Sequence, residues 1–270
     1  MRAAPIAPTG GWAITLLEIG RAEHPGAWVG PGFPEWMWTP INGVLLRRPG
    51  RTILVDTGSG VLSHLWAYDG IVSDVSQALA AAGASPADVD LVVLTHLDDD
   101  HVGGLLAGTW PDDVRLAFPN ARVLAPAAGL RAVDAGEGLP IGVEERRRLC
   151  GFLDGAGVLD EAEAGSEVAD GVRLRDAPGH RAGHACVEVG GERPLVHLAD
   201  TIHHPVHVEH PEWDGPADDD RAVALATRTT LLAEVAGSGA RAVASHVAGP
   251  GAFAVSARPD GRFEPHPIER

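Results

Sequence analysis

Cysteine is almost missing from this chain of 270 residues, with Cys150 and Cys186 as the only two. They supply neither a disulfide framework nor a C-x-x-C metal knuckle, and Cys186, inside a strand-like run, reads as an inert core residue. Positive charge is also scarce: 21 Lys and Arg stand against 37 Asp and Glu, a formal net charge of −16. That balance argues against nucleic acid and anionic membrane as partners, because both would be repelled over the range that screening allows. Long apolar runs are lacking too. The stretch Met1 to Gly10 has no apolar core of a secretory signal, and nothing later approaches a spanning helix. The expectation is a cytoplasmic protein that meets a small molecule.

Aromatics make up only 5% of the chain, yet Trp28, Phe33, Trp36 and Trp38 crowd between His24 and Pro40, spaced by Gly and Pro as in a loop. They offer either the apolar wall of a substrate pocket or a cover for a sheet or homodimer contact.

What the chain has in quantity is histidine and aspartate at the ends of strand-like runs. Leu91-Val92-Val93-Leu94 leads into Thr95-His96-Leu97-Asp98-Asp99-Asp100-His101-Val102-Gly103-Gly104. Two imidazoles and three carboxylates within six residues repel and dehydrate one another unless a cation sits among them. Imidazole and carboxylate together suit zinc, manganese or iron. Three further stretches repeat the theme: Gly179-His180-Arg181-Ala182-Gly183-His184 after a strand pattern, Leu195 to Asp200, and Ala242 to His246. On spacing alone, either His180 or His184 could ligate.

These residues, with Val55-Asp56-Thr57-Gly58 before them, resemble the metallo-β-lactamase fold superfamily of metal-dependent hydrolases. Its pattern runs from a strand-end aspartate through a His-x-His-x-Asp-His loop, a Gly-His and a bridging aspartate to a final histidine. The chain departs from it at Asp98, where the pattern has its second histidine. His203-His204-Pro205-Val206, His210 to Asp214 and Ala226-Thr227-Arg228 resemble the branch containing acyl-homoserine lactonases and methyl parathion hydrolase.

The resemblance implies an α/β fold, a four-layer α/β/β/α sandwich with the site at the rim between two sheets, and no low-complexity linker divides residues 1–270, so one domain is expected. It also implies two divalent metal ions, with zinc first and manganese or iron as alternatives. His96, Asp98 and His184 would bind one, Asp100, His101 and His246 the other, and Asp200 would bridge. Asp56 is expected to order the metal loop and His180 to support a ligand. His203, His204, His207 and His210 read as loop residues rather than a further metal centre. Asp218-Asp219-Asp220 reads as a helix cap. Helices are expected from about Val72 to Ala82, Gly142 to Leu153 and Ala217 to Glu234.

The implied chemistry is hydrolysis of a small ester, a lactone above all, by metal-bound hydroxide, with Asp100 as the catalytic carboxylate. Phosphoester or phosphotriester hydrolysis at the same site is the runner-up. An iron-dependent oxidoreductase is a third reading, favoured if Asp98 is an extra carboxylate ligand.

Overall fold

A computed structural model of the chain describes residues 1–65, 70–137, 142–213, 217–248 and 252–268. Asp214, one of the residues carrying the branch resemblance, lies outside them. Two sheets dominate. In the first, Arg2–Thr9, Trp12–Pro25, Trp36–Arg48, Arg51–Val55, Leu91–Val93, Arg122–Pro126 and Leu159–Ala162 lie side by side in that order, with Ile71–Ser73 paired to Trp12–Pro25. In the second the order is Glu167–Ala169, Val172–Asp176, Ala185–Val189, Leu195–His197, Arg241–Val243, Phe253–Ala257 and Phe263–Pro267.

Successive side chains of a strand point to opposite faces, and this alternation builds the layers. Leu16, Val44, Leu46, Ile53, Val55, Leu91 and Val93 of the first sheet meet Leu174, Val187, Val189, Leu195 and Val243 of the second in one buried cluster. The intervening residues Leu17, Ile19, Leu45, Leu54 and Val92 face outward onto Leu79, Val133, Leu149 and Leu153, which belong to the helices Val75–Ala81, Ala127–Ala135 and Val143–Gly155. Across the molecule, Cys186, Val196 and Ala242 pack under Leu231, Leu232 and Val235 of the helix Arg221–Ser238. The result is the α/β/β/α sandwich.

Several element boundaries differ from the sequence reading. Residues 71–73 are a strand, and the first helix starts only after Asp74, whose side chain accepts from the Gln77 backbone N–H. The last long helix starts at Arg221 rather than Ala217, with Asp220 alone of its acidic triplet capping it through the Ala222 and Val223 N–H groups. Trp36 and Trp38 lie on the strand Trp36–Arg48 instead of a loop. Among the described residues, no helix is long and apolar enough to cross a membrane.

Arg51–Val55 pairs parallel with Leu91–Val93, and Leu195–His197 pairs parallel with Arg241–Val243. Parallel neighbours end on the same edge, so Asp56, the segment from Thr95, Asp200 and His246 emerge together at one rim. Ligands of open α/β sheets collect beyond such carboxyl ends.

Candidate metal centre and substrate pocket

Asp56, just after its strand, adopts φ 61°, a left-handed conformation uncommon outside glycine but tolerated by Asp. Its Oδ1 accepts the Thr95 N–H at 2.9 Å and its Oδ2 the Thr95 hydroxyl at 2.8 Å. The same Oδ2 lies 2.9 Å from His101 Nδ1. Because Thr95 gives its one hydroxyl proton to Asp56, its oxygen must accept from His96 Nδ1, 3.0 Å away. One buried carboxylate thereby sets the tautomers of both loop histidines. Gly103 lets this loop close on its neighbour, since a Cβ there would lie 1.7 Å from the Ser59 carbonyl oxygen.

Two more imidazoles are anchored in the same way. His180 Nδ1 is 3.0 Å from Asp218 Oδ1, and His246 Nδ1 is 2.9 Å from the Pro40 carbonyl. Asn42 steadies the turn bearing His246 by donating to the Ala244 and Val247 carbonyls at 3.1 and 3.0 Å. With every Nδ1 engaged, the four Nε2 atoms turn inward on Asp200. Its Oδ2 lies 3.1 Å from His246, 3.6 Å from His180 and 3.9 Å from His96, while Oδ1 lies 3.3 Å from His101. Asp100 closes the far side, 3.4 Å from His246 and 3.6 Å from His101.

The two Gly-His histidines exchange the roles expected of them. His184 Nδ1 is 2.8 Å from the Ala177 carbonyl and its Nε2 accepts the Asp200 backbone N–H at 3.1 Å. Both ring nitrogens are occupied, so His184 orients Asp200 from behind, and His180 is the imidazole presented to the cluster. Spacing could not reveal which ring turns inward.

Asp98 departs from expectation as well. Arg181 Nε donates to both of its oxygens, at 3.1 and 2.8 Å, while Asp98 Oδ2 stays 3.8 Å from His96 and from His180. Arg181 also donates through Nη1 to the His180 carbonyl at 2.7 Å, to the Ala217 carbonyl, and to Asp219 at 3.3 Å. The Asp218 side chain is buried against Arg228, 3.2 Å away. Asp218 and Asp219 therefore serve the site and not the helix end. The sequence reading gave Asp218 only a helix-cap role and Arg228 only a place in the branch resemblance, and it assigned no role to Arg181 or Asn42; Arg181 between the two Gly-His pairs was the only local hint.

Protonation follows this packing. Burial raises the Asp99 carboxyl, and the Asp100 and Asp98 carboxylates beside it raise it further, to about 7. Burial disfavours a charge on His101, yet Asp200, Asp100 and Asp56 overcome it and hold the ring well above the usual imidazole range. His96 goes the other way, well below that range, through burial and then the repulsion of His101. Buried carboxylates and imidazoles are thus competing for too few protons, which a cation would replace.

Two compact donor groups result, His96–His180–Asp200 and Asp100–His101–His246, each with its ligand atoms within 4.8 Å of one another. They open into a cavity of about 340 Å³ walled by His24, Trp28, Val29, Thr39, His203 and Ala217. Of the four crowded aromatics only Trp28 lines it. Phe33 packs edge-on against His204 at 4.9 Å, Trp36 and Trp38 are 45% exposed, and Trp38 borders a separate cavity with Arg21.

Comparison with known proteins bears on the family and the fold. Probable metallo-hydrolases of Mycobacterium bovis and Mycobacterium tuberculosis are each 29% identical over 186 residues, 60% of this chain and 56% of theirs, so the chain spans little more than half their length. The solved structure of AidC, a dizinc quorum-quenching lactonase in complex with a product, superposes with a TM-score of 0.82 at 23% identity, over 100% of this chain and 98% of that one. Hydrolase AbOPH gives 0.84 at 22% identity over the same shares. At these identities the structural likeness establishes the fold. The profile of the metallo-beta-lactamase superfamily matches residues 36–246, and the chain belongs to that superfamily.

Proposed function

We propose that the protein is a metal-dependent hydrolase that opens the ester bond of a small lactone, with two divalent metal ions, zinc in first place. One observation carries the reading. His96 Nε2, His101 Nε2, His180 Nε2 and Asp200 Oδ1 are buried, point at one another, and have no hydrogen-bond partner among the described residues. Buried polar atoms are rarely left so, and a set of imidazole and carboxylate without thiolate fits zinc, manganese or iron. His96 and His180 would hold one ion and Asp100, His101 and His246 the other, with Asp200 between them. Ions held there would acidify water towards hydroxide near neutral pH and would polarise an ester carbonyl.

The chain's own groups do the rest. Trp28 and Val29 form an apolar wall for the acyl portion, in a cavity within the size range of small-molecule sites. Asp100 lies at the cavity edge, placed to take the proton of the attacking water and return it to the alkoxide as the acyl C–O bond breaks. The product is a hydroxy acid. The likeness to AidC and to N-acyl homoserine lactone hydrolases supports the lactone over other esters. The oxidoreductase alternative would be favoured by Asp98 as an extra ligand, and Asp98 is instead paired with Arg181.

The test is a substrate panel on zinc-reconstituted protein with metal content measured in parallel. Lactones should exceed aryl esters and phosphotriesters in kcat/KM by at least about tenfold, or roughly 1.4 kcal/mol of transition-state preference. Phosphotriesters leading the panel would move the assignment to phosphoryl transfer; protein that takes up no metal would refute the site.

A further inference from the structure

Asp98 stands where the motif it resembles has an imidazole, and its carboxylate is held by Arg181. The cluster is nevertheless not short of imidazoles. His203, three residues after Asp200, places Nε2 3.4 Å from Asp200 Oδ2. Its ring stacks on His246, with centroids 5.4 Å apart and planes 11° apart, and lies 5.3 Å from that of His180. Ligand atoms of Asp200, His203 and His246 all fall within 4.8 Å of one another, a third donor group sharing two members with the site already described. Ligands about 2.0–2.1 Å from a tetrahedral zinc are separated from each other by about 3.3–3.4 Å. The 3.4 and 3.1 Å approaches of His203 and His246 to Asp200 Oδ2 match that spacing.

The backbone that carries the ring is also held. The His203 backbone N–H donates to His207 Nδ1 at 3.3 Å, and His207 Nε2 lies 2.8 Å from the Val29 carbonyl. An imidazole whose Nδ1 accepts carries its proton on Nε2, so His207 donates to Val29 and ties His203 to the cavity wall beside Trp28.

We infer that His203 Nε2 is a metal ligand of this chain, adding an imidazole on the Asp200–His246 side of the cluster. The inference rests on the metal-centre reading above and adds a donor to it. A purely substrate-facing His203 would alter turnover and leave metal binding alone, so the readout is the metal itself.

His203→Ala and the shape-preserving His203→Gln are compared with His204→Ala, the neighbouring imidazole outside the cluster, and with the unmodified chain. Each is loaded with Co²⁺, and metal content, Co²⁺ affinity by competition with a chelator, and the visible ligand-field spectrum are recorded. The expected result is two ions in the unmodified chain and in His204→Ala. Both His203 variants should show at least about tenfold weaker binding of one ion and a changed visible band. Two ions bound with unchanged affinity and spectrum in either folded His203 variant would overturn the inference, even if turnover fell. An unmodified chain that binds no ion would instead overturn the metal-centre reading from which it starts.

Discussion

Replacing Arg181 by Met tests the most local peculiarity of this site. Arg181 and Asp98 are both nearly buried, at 8% and 12% side-chain exposure. Unit charges about 4 Å apart attract by about 4 kcal/mol at an effective dielectric near 20, and removing one partner of a buried pair costs about 3–5 kcal/mol because the other charge is stranded. Residual solvent contact at Asp98 places the expected loss at the lower end, about 3 kcal/mol, or roughly 6–12 °C in Tm for a chain of this size. The sign with pH is fixed by Asp98. Burial pushes its carboxyl up, but Arg181 and then His180 hold it below the ordinary carboxylate range. Its stabilising contribution is therefore complete above the unfolded value, near 3.9, and vanishes as pH falls through the lower folded value. In Arg181→Met burial acts unopposed by the guanidinium, so Asp98 takes up its proton earlier. The gap between the two proteins should be widest at neutral pH and close towards pH 3. Chemical denaturation across pH 3–8, with Arg181→Met/Asp98→Asn alongside, measures it; the double variant should recover at least about 2 kcal/mol. A loss under about 1 kcal/mol at pH 7, or strictly additive substitutions, would refute the reasoning.

Asp200→Ala should weaken both ions together by at least about tenfold each, because the carboxylate faces both donor groups, whereas His246→Ala should weaken mainly one; equal mild losses in metal titrations would remove Asp200 from between the ions. His180→Ala should lower metal affinity by about 10–100-fold while His184→Ala, acting only through the Asp200 backbone, costs less, and the reverse ranking would restore His184 as the ligand. Trp28→Ala should raise KM for long acyl lactones about fivefold or more with little change for short ones, since only the former reach the wall; Trp36→Ala, outside the cavity, should leave the KM ratio untouched.

The layered fold was legible because strand alternation and strand-end ligands are local patterns. Val55-Asp56, Val93 to His101, Leu198 to Asp200 and Ala244 to His246 each announce a strand that stops at a polar side chain. The partners of those side chains were not legible, since they come from afar: Arg181 reaches Asp98 across 83 positions, Asp218 reaches His180 across 38, and Asn42 reaches Ala244 across 202. A triplet such as Asp218-Asp219-Asp220 before a helix looks uniform, yet its three carboxylates go to an imidazole and an arginine, to a second arginine, and to the helix N-terminus. The aromatic crowd divides between cavity and surface for a related reason. Trp36 and Trp38 have strand neighbours that set them on a different surface from Trp28.

Three of the four inward-facing imidazoles are anchored from distant parts of the chain, His101 by Asp56, His180 by Asp218 and His246 by Pro40, and Thr95 beside His96 is itself held by Asp56. A half-folded chain can offer scattered histidines but cannot present them with the correct nitrogen free, so ion loading should come late in folding. An ion held there would grip residues from both sheets at once and draw them together by its own binding free energy, RT ln(1 + [metal]/Kd). The centre would then also be a clasp between the two halves of the sandwich, and a chelator strong enough to open it should loosen the rim long before either sheet comes apart.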